Sequence, residues 1–161
     1  MKKICASSVF AFIIFLAACG SETKKNEQSA DTTKLAQDDS NDPNFYDPKR
    51  GEGKFSSENV VLTALDQKMA TAGEGIAGTK CTSCHKLTEE RLVGPGWKGV
   101  TERRTAYWIM NFITNPDPMI DKDPEVQSQL ELCLVRMPNQ NLEDDEARAV
   151  VEFMRKNDGV N

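Results

Sequence analysis

The residues best suited to chemistry in this chain of 161 residues lie in one short string, Cys81-Thr82-Ser83-Cys84-His85. Two thiols separated by two residues and followed at once by a histidine form the attachment pattern of a c-type haem. The thiols add to the two vinyl groups of the porphyrin, and the neighbouring imidazole becomes the proximal ligand of the iron. The string therefore predicts one covalent haem c held by Cys81, Cys84 and His85.

His85 is the only histidine in the sequence, and this excludes several other uses of the string. Two-histidine metal sites and HExxH zinc proteases are impossible, and any Ser-His-Asp triad would have to use His85. A structural zinc site needs about four nitrogen or sulfur ligands, and only Cys133 remains to complete one. A thioredoxin-like dithiol needs a βαβ context, which the sequence lacks.

The start of the chain predicts a lipoprotein signal peptide over residues 1–18. Lys2 and Lys3 precede an apolar run that is shorter than the ~20 residues of a spanning helix. The run ends in LAACG, which resembles a bacterial lipobox, so Cys19 is the predicted lipidation site and the protein is expected to be lipid-anchored outside the cytoplasm, facing the periplasm. Gly20 favours the outer membrane over the inner one. The alternative is an ordinary secretory signal with an incidental cysteine.

Composition divides the rest of the chain into a tether, residues 19–43, and a domain, residues 44–161. The tether after Cys19 is rich in charged and small polar residues and has almost no large apolar ones, which predicts disorder. Without the signal peptide the chain has 18 basic and 25 acidic residues and a net charge of −7. This charge excludes a strongly basic nucleic-acid binder.

The domain shows the spacing of amphipathic helices and no strand-like alternation, which predicts an all-α fold of about four to five helices around one haem. One helix is expected to end before Cys81, a second at Asn115, a third to run from Pro124 to about Leu134, and a last one to begin near Glu143. The residues between Asn115 and Asp123 are expected to form a loop. The apolar positions expected to face the core are Val61, Leu65, Met69, Ala72, Ile76, Ala77, Ala106, Ile109, Met110, Ile113, Ala147, Val150, Val151 and Met154.

A second segment strengthens the haem interpretation. Ten residues after His85 the sequence reads VGPGWKGV, residues 93–100, which is similar to the GPxLxGV segment of class I c-type cytochromes. The resemblance covers about residues 65–156. It implies that the Pro95 carbonyl accepts a hydrogen bond from the ring of His85. It also implies that Trp97, which replaces the family's leucine, covers an edge of the haem.

The resemblance is incomplete in the helix before the haem string. The family's upstream glycine corresponds to Gly73, whereas Ala77 stands where the family has an aromatic residue. Packing between the first and last helices must then be completed by another side chain, and Phe153 is the candidate.

Methionine is the natural sixth ligand, because a chain with one histidine cannot ligate iron through two. Met137 precedes Pro138 in a loop before the last helix, where the resemblance places a Met-Pro ligand. Met119 in the expected loop remains the alternative. The other methionines of the domain, Met69, Met110 and Met154, lie on apolar helical faces and are expected to fill the core.

The expected function is single-electron transfer in an extracytoplasmic respiratory chain, without enzymatic activity of its own. A thioether fills the sixth position of the iron and raises its potential relative to two imidazoles. Two alternatives remain, a haem-based redox or gas sensor with a labile sixth ligand and a haem subunit of a larger oxidoreductase. The strings GPGWKGVTERR and LVRMPNQNL resemble small lipoprotein cytochromes found with bacterial nitrous oxide reductase clusters, which points to a terminal reductase as acceptor.

Charge is distributed unevenly along the domain. Residues 80–104 contain six basic and three acidic side chains, whereas residues 117–161 carry a net charge of −6. This asymmetry predicts transient, charge-steered docking of redox partner proteins. Alternatively, the charges only solvate separate faces, or Arg103 and Arg104 neutralise haem propionates. Cys133 is expected to be a small buried residue of a monomer, with a disulfide-linked dimer as the alternative.

Overall fold

The computed structural model describes residues 46–161, so the predicted signal peptide, Cys19 and the tether through residue 43 lie outside the described residues. Within that range the regular elements are helices: α1 (Gln67–Lys80), α2 (Val100–Arg103), α3 (Ala106–Thr114), α4 (Pro116–Lys122), α5 (Pro124–Cys133) and α6 (Asp144–Asp158). None of the helices described is both long and apolar enough to cross a bilayer. The prediction of an all-α fold is confirmed, with six helices where four to five were expected.

Two helices, α2 and α4, were not predicted from the sequence. Residues 116–122 were expected to form a loop, but α3 ends at Thr114 and a new helix begins at Pro116. The fixed φ of proline suits the first turn of a helix, where its missing N–H costs nothing. Asp117 in the first turn and Lys122 in the last also match the helix dipole. Met119 is therefore a fully buried helical residue.

The buried face of α1 differs from the predicted one. Val61 lies before the helix and is 64% exposed, because the helix begins only after Asp66, whose carboxylate accepts a hydrogen bond from the Met69 N–H at 2.9 Å. Of the predicted positions within α1, Ala77 is buried and Ile76 packs against the core. Ala72 is exposed and Met69 is half-buried, so these two predictions are wrong. The buried residues of α1 are Ala70, Gly73 and Ala77.

Small residues face inward because α1 packs directly against the backbone of α6. A Cβ added to Gly73 would lie 2.0 Å from the carbonyl oxygen of Ala149, so no side chain fits between the two helices. Helix α6 begins with a capping box formed by Glu143 and Glu146. The predicted start of this helix and its predicted buried positions are confirmed. Its contact with α1 fixes the end of α1 that leads into the haem string.

An N-terminal segment, residues 46–66, precedes α1 and packs across the other helices. The buried Asn111 side chain of α3 accepts a hydrogen bond from the Phe55 N–H at 2.9 Å. Its amide group donates to the carbonyls of Arg50 and Phe55 at 2.9 and 3.0 Å. The hydroxyl of Tyr46 donates to Asp123, which begins α5. The segment is thus bonded to two of the helices that enclose the candidate site.

Candidate haem site

The haem string forms a tight turn at the C-terminal end of α1. The Cys81 N–H donates to the Ala77 carbonyl at 2.8 Å and closes the helix, and the N–H groups of Cys84 and His85 both donate to the Cys81 carbonyl at 3.0 Å. The turn gathers the two thiols and the imidazole at one end of the helix. All three side chains line the same cavity.

The segment that contains Pro95 folds back over this turn. The Nδ1 atom of His85 lies 2.8 Å from the Pro95 carbonyl oxygen. A carbonyl can only accept a hydrogen bond, so Nδ1 carries the proton and the Nε2 lone pair is left for a metal ion. A Cβ on Gly94 would lie 2.4 Å from Cε1 of His85, so the chain can pass this close to the ring only at a glycine.

Burial shifts the protonation equilibria of two side chains in the turn. It lowers the pKa of His85, although the hydrogen bond to Pro95 opposes part of this shift. The imidazole is therefore neutral at neutral pH, which is the form that binds a metal. Burial also raises the pKa of the Cys81 thiol, with nearby Lys80 acting in the opposite direction.

The cavity has a volume of about 450 Å³ and mostly apolar walls, within the range of about 300–1,000 Å³ that small-molecule and cofactor sites occupy. Pro95, Trp97 and Met137 line it together with the haem string. Trp97 is buried, with its ring centre 5.7 Å from that of His85 and 6.5 Å from that of Phe153, which it meets edge to face. Phe153 thus packs on the tryptophan beside the site.

The methionines that could ligate the iron differ in whether they reach the cavity. Met137 and Met154 line the cavity. Met119, the alternative ligand, is fully buried in α4 and does not line it. Met154 was expected to fill the core, and it is 3% exposed, so it is both a core residue and part of the cavity wall.

Helix α5 supplies a wall that the sequence analysis did not assign to the site. Val126, Gln129 and Leu130 line the cavity from this helix, together with Cys133. The spacing of Val126, Leu130 and Cys133 by four and three residues is the signal that would have indicated this face.

Helix α5 ends at Cys133, within one residue of its predicted end near Leu134. Leu134 adopts a left-handed conformation with φ of 59° and is 84% exposed. A left-handed residue ends a helix, so Met137 lies in the irregular stretch between α5 and α6.

Helix α3 forms another wall through Trp108. The indole Nε1 donates to the Asp123 carboxylate at 3.1 Å, and the Arg104 guanidinium lies 4.3 Å from the ring centre. Arg104 also pairs with Glu125 of α5, so a carboxylate of the protein already contacts it. Arg103 lines the cavity as well and donates to the Lys98 carbonyl at 2.9 Å.

The set of donors in the cavity fits a haem c. Two thiols, an imidazole with a free Nε2 and a thioether line a largely apolar space, as covalent attachment and axial ligation require. Throughout residues 46–161, no three His, Cys, Asp or Glu side chains come together as they would around a metal ion.

Comparison with known proteins decides the family. The family model for cytochrome c matches residues 70–158. The chain belongs to the cytochrome c family. Among solved structures, it is similar to cytochrome c from Rhodothermus marinus, with 33% identity over 65% of this chain and 90% of that chain and a TM-score of 0.61. An engineered form of that protein matches with 32% identity over 70% and 98% of the two chains and a TM-score of 0.62.

A second engineered Rhodothermus marinus cytochrome c, bound to a carbene intermediate, gives 32% identity, covers the same shares of the two chains and has a TM-score of 0.59. No curated protein matches the chain. Membership of the cytochrome c family confirms the prediction of covalent haem c and identifies electron transfer as the function of this domain. The roles of the individual site residues stay predictions.

Proposed function

We propose that this cytochrome c is a monohaem single-electron carrier in which Cys81 and Cys84 hold the haem and His85 and Met137 ligate its iron. One observation carries the proposal: the His85 ring is oriented by Pro95 at 2.8 Å and lines the same cavity as the Met137 side chain. The bound haem supplies the reversible change between ferrous and ferric iron. Pro95 fixes the imidazole, Trp97 covers the site, and the apolar walls exclude water.

A spectrum tests the sixth ligand. Met137→Ala should abolish the long-wavelength iron–thioether absorption band of the ferric protein. Met154→Ala, which alters another methionine of the cavity wall, should retain the band and serves as the matched control. Retention of the band in the Met137 variant together with its loss in Met119→Ala would move the assignment to α4.

The filled sixth position also separates an electron carrier from a gas sensor. The reduced wild-type protein should bind carbon monoxide slowly at neutral pH, because the thioether must leave first, whereas Met137→Ala should bind it at once. Rapid binding to the wild type would favour the sensor. A stable complex recovered after mild detergent extraction would favour the third possibility, a fixed subunit of a larger oxidoreductase.

We further propose that the protein is anchored through a lipidated Cys19 and faces the periplasm, with the outer membrane favoured over the inner one. The lipobox-like LAACG string supports this proposal. Stable anchoring requires more than one acyl chain on the protein, because a single chain binds a membrane only marginally. Wild-type protein should partition into detergent and carry the mass of its acyl groups, whereas Cys19→Ala should partition into water. Equal partitioning of the two proteins would refute the anchor.

Docking of redox partner proteins is proposed to be transient and steered by basic residues near the cavity. Two of these basic residues have carboxylate partners: Lys86 pairs with Glu90 at 2.7 Å, and Arg104 pairs with Glu125. The other three donate to backbone carbonyls, which carry no net charge and so leave the positive charges uncompensated; these are Arg91, Lys98 and Arg103. The second-order rate of electron transfer should fall with ionic strength, and Arg103→Gln should lower it more than Lys68→Gln, an equal charge change on α1. Equal rates would refute steering.

The acceptor is proposed to be a terminal reductase such as nitrous oxide reductase, on the resemblance of the strings GPGWKGVTERR and LVRMPNQNL. Mixing the reduced cytochrome with that enzyme and its substrate should oxidise the haem within the turnover time. The cytochrome is proposed to act as a monomer. Identical migration of wild type and Cys133→Ser without reductant would support this, and a band of twice the mass in the wild type alone would indicate a disulfide-linked dimer.

A further inference from the structure

The residue before the proposed ligand forms an unusual set of ion pairs. Nη2 of Arg136 lies 2.9 Å from Oδ1 of Asp117, and both Nη1 and Nη2 lie 3.1 Å from Oδ1 of Asp121. The two aspartates are four residues apart on α4, one on the first turn of the helix and one on the next. One guanidinium therefore bridges two turns of α4 immediately beside Met137.

Helix α4 needs such a partner. Like charges four residues apart on a helix repel each other, and α4 has only seven residues. A guanidinium that contacts both carboxylates removes this repulsion. An arginine is always protonated at working pH, so the positive charge between the two carboxylates is permanent.

The stretch that carries Met137, residues 134–143, has few other attachments. After the Leu134 N–H, which donates to the Leu130 carbonyl at 2.8 Å and closes α5, the stretch runs outside the helices up to α6. It contains two non-glycine residues in the left-handed region, Leu134 with φ of 59° and Asn141 with φ of 49°. Such conformations persist only where the surroundings hold them. After Met137 the stretch is held by the Lys80 Nζ bond to the Gln140 carbonyl at 3.2 Å and by buried Leu142. Before Met137, Arg136 provides the attachment to α4.

We infer that Arg136 is a positioning residue, and that its ion pairs to Asp117 and Asp121 hold the 134–143 stretch on α4 so that Met137 is presented to the haem iron. This inference rests on the proposed role of Met137. Both aspartates are 67% exposed and Arg136 is 46% exposed. Salt therefore screens the pairs, and retention of the thioether on the iron depends on ionic strength.

Competition by imidazole for the sixth position measures this retention in the ferric holoprotein. Arg136→Gln should bind imidazole about two- to fivefold more tightly than the wild type, the range expected for loss of exposed ion pairs. The double variant D117N/D121N should give the same increase, and adding R136Q to it should give no more. Arg136→Lys should increase imidazole affinity less than Arg136→Gln does, because lysine keeps the positive charge but lacks the planar guanidinium that contacts both carboxylates.

Two controls separate positioning from general stability. Lys122→Gln removes a different exposed ion pair of α4, the 3.0 Å contact with Glu52, and should leave imidazole affinity unchanged. Raising sodium chloride from roughly 20 mM to 1 M should strengthen imidazole binding to the wild type but not to R136Q. Wild-type imidazole affinity in R136Q would overturn the inference, and so would a lower melting temperature of R136Q without a change in that affinity.

Failure of this inference is distinguishable from failure of the proposed ligand. If Met137 is not the ligand, Met137→Ala retains the iron–thioether band. If Met137 is the ligand and Arg136 does not position it, Met137→Ala loses the band while R136Q binds imidazole as the wild type does.

Discussion

Gly73 offers a sharp test of how α1 and α6 hold the site. A Cβ at this position would lie 2.0 Å from the Ala149 carbonyl oxygen, 2.4 Å from the Ala149 carbonyl carbon and 2.9 Å from the Val150 nitrogen. All three are backbone atoms, so no rotation of a side chain relieves the overlap. Gly73→Ala should therefore force the two helices apart.

The magnitude follows from two opposing contributions. Overpacking of this kind costs about 1–3 kcal/mol and more where the obstacle is rigid, whereas replacing a mid-helix glycine by alanine favours the helix by about 1 kcal/mol. Because the obstacle here is rigid backbone, the overpacking cost should lie at or above the top of its range. After the gain in helix propensity is subtracted, we expect Gly73→Ala to lower the free energy of unfolding by roughly 2 kcal/mol or more. At about 3–6 °C per kcal/mol for a domain of this size, the melting temperature should fall by several degrees or more.

Gly75 and Gly78 provide matched controls on the same helix. A Cβ at either position meets nothing within 4 Å, so only the gain in helix propensity remains. Gly75→Ala and Gly78→Ala should each raise the free energy of unfolding by about 0.5–1 kcal/mol. Guanidinium unfolding of the three holoproteins, followed by far-ultraviolet circular dichroism, measures all of these changes. If Gly73→Ala is as stable as Gly75→Ala, the close contact between α1 and α6 is refuted.

Three further predictions concern buried polar residues. Asn111→Ala should lower the free energy of unfolding by roughly 2–4 kcal/mol, because it leaves backbone groups of the N-terminal segment unpaired; an unchanged denaturation midpoint would contradict this. Burial raises the pKa of Asp123, but hydrogen bonds from Tyr46 and others outweigh burial and hold that pKa below its usual value. The ionised carboxylate should therefore stabilise the fold above about pH 4, the ordinary pKa of an aspartate, and this contribution should be lost as the pH falls through the lower pKa of the folded protein. The stabilities of wild type and Asp123→Asn should then converge on acidification. Glu152→Gln should cost about 3 kcal/mol in urea unfolding, because the fully buried carboxylate pairs with Arg155 at 2.6 Å, and an equally stable variant would show that the pair contributes nothing.

The parts of the fold predicted correctly are those with strong local signals. Helix α5 begins at Pro124 and ends within one residue of the predicted boundary, because Asp123 and Pro124 define its start and a left-handed Leu134 stops it. Helix α6 was indicated by its acidic first turn and its apolar spacing. The haem string needed no tertiary information, because its chemistry lies in five consecutive residues.

The parts that were missed depend on contacts between distant segments. The buried face of α1 consists of small residues, and only the approach of α6 makes them interior. Helix α4 follows α3 after a single intervening residue, where Asn115-Pro116 indicated an end but not a new start. The α5 wall of the cavity and the pairing of Arg136 with α4 both require the chain to fold back on itself, which spacing along one helix cannot reveal.

The N-terminal segment shows that the folded unit extends beyond the part that the family model matches. The match begins at residue 70, yet residues 46–66 supply bonds that hold the walls of the cavity. Tyr46 reaches Asp123, which also accepts the bond from the cavity-lining Trp108, and the Thr63 carbonyl accepts a bond from Arg155 of α6 at 2.7 Å. Because these bonds join the N-terminal segment to α3, α5 and α6, the segment is part of the structure that encloses the cavity, and a domain cut at the start of the family match would lose them.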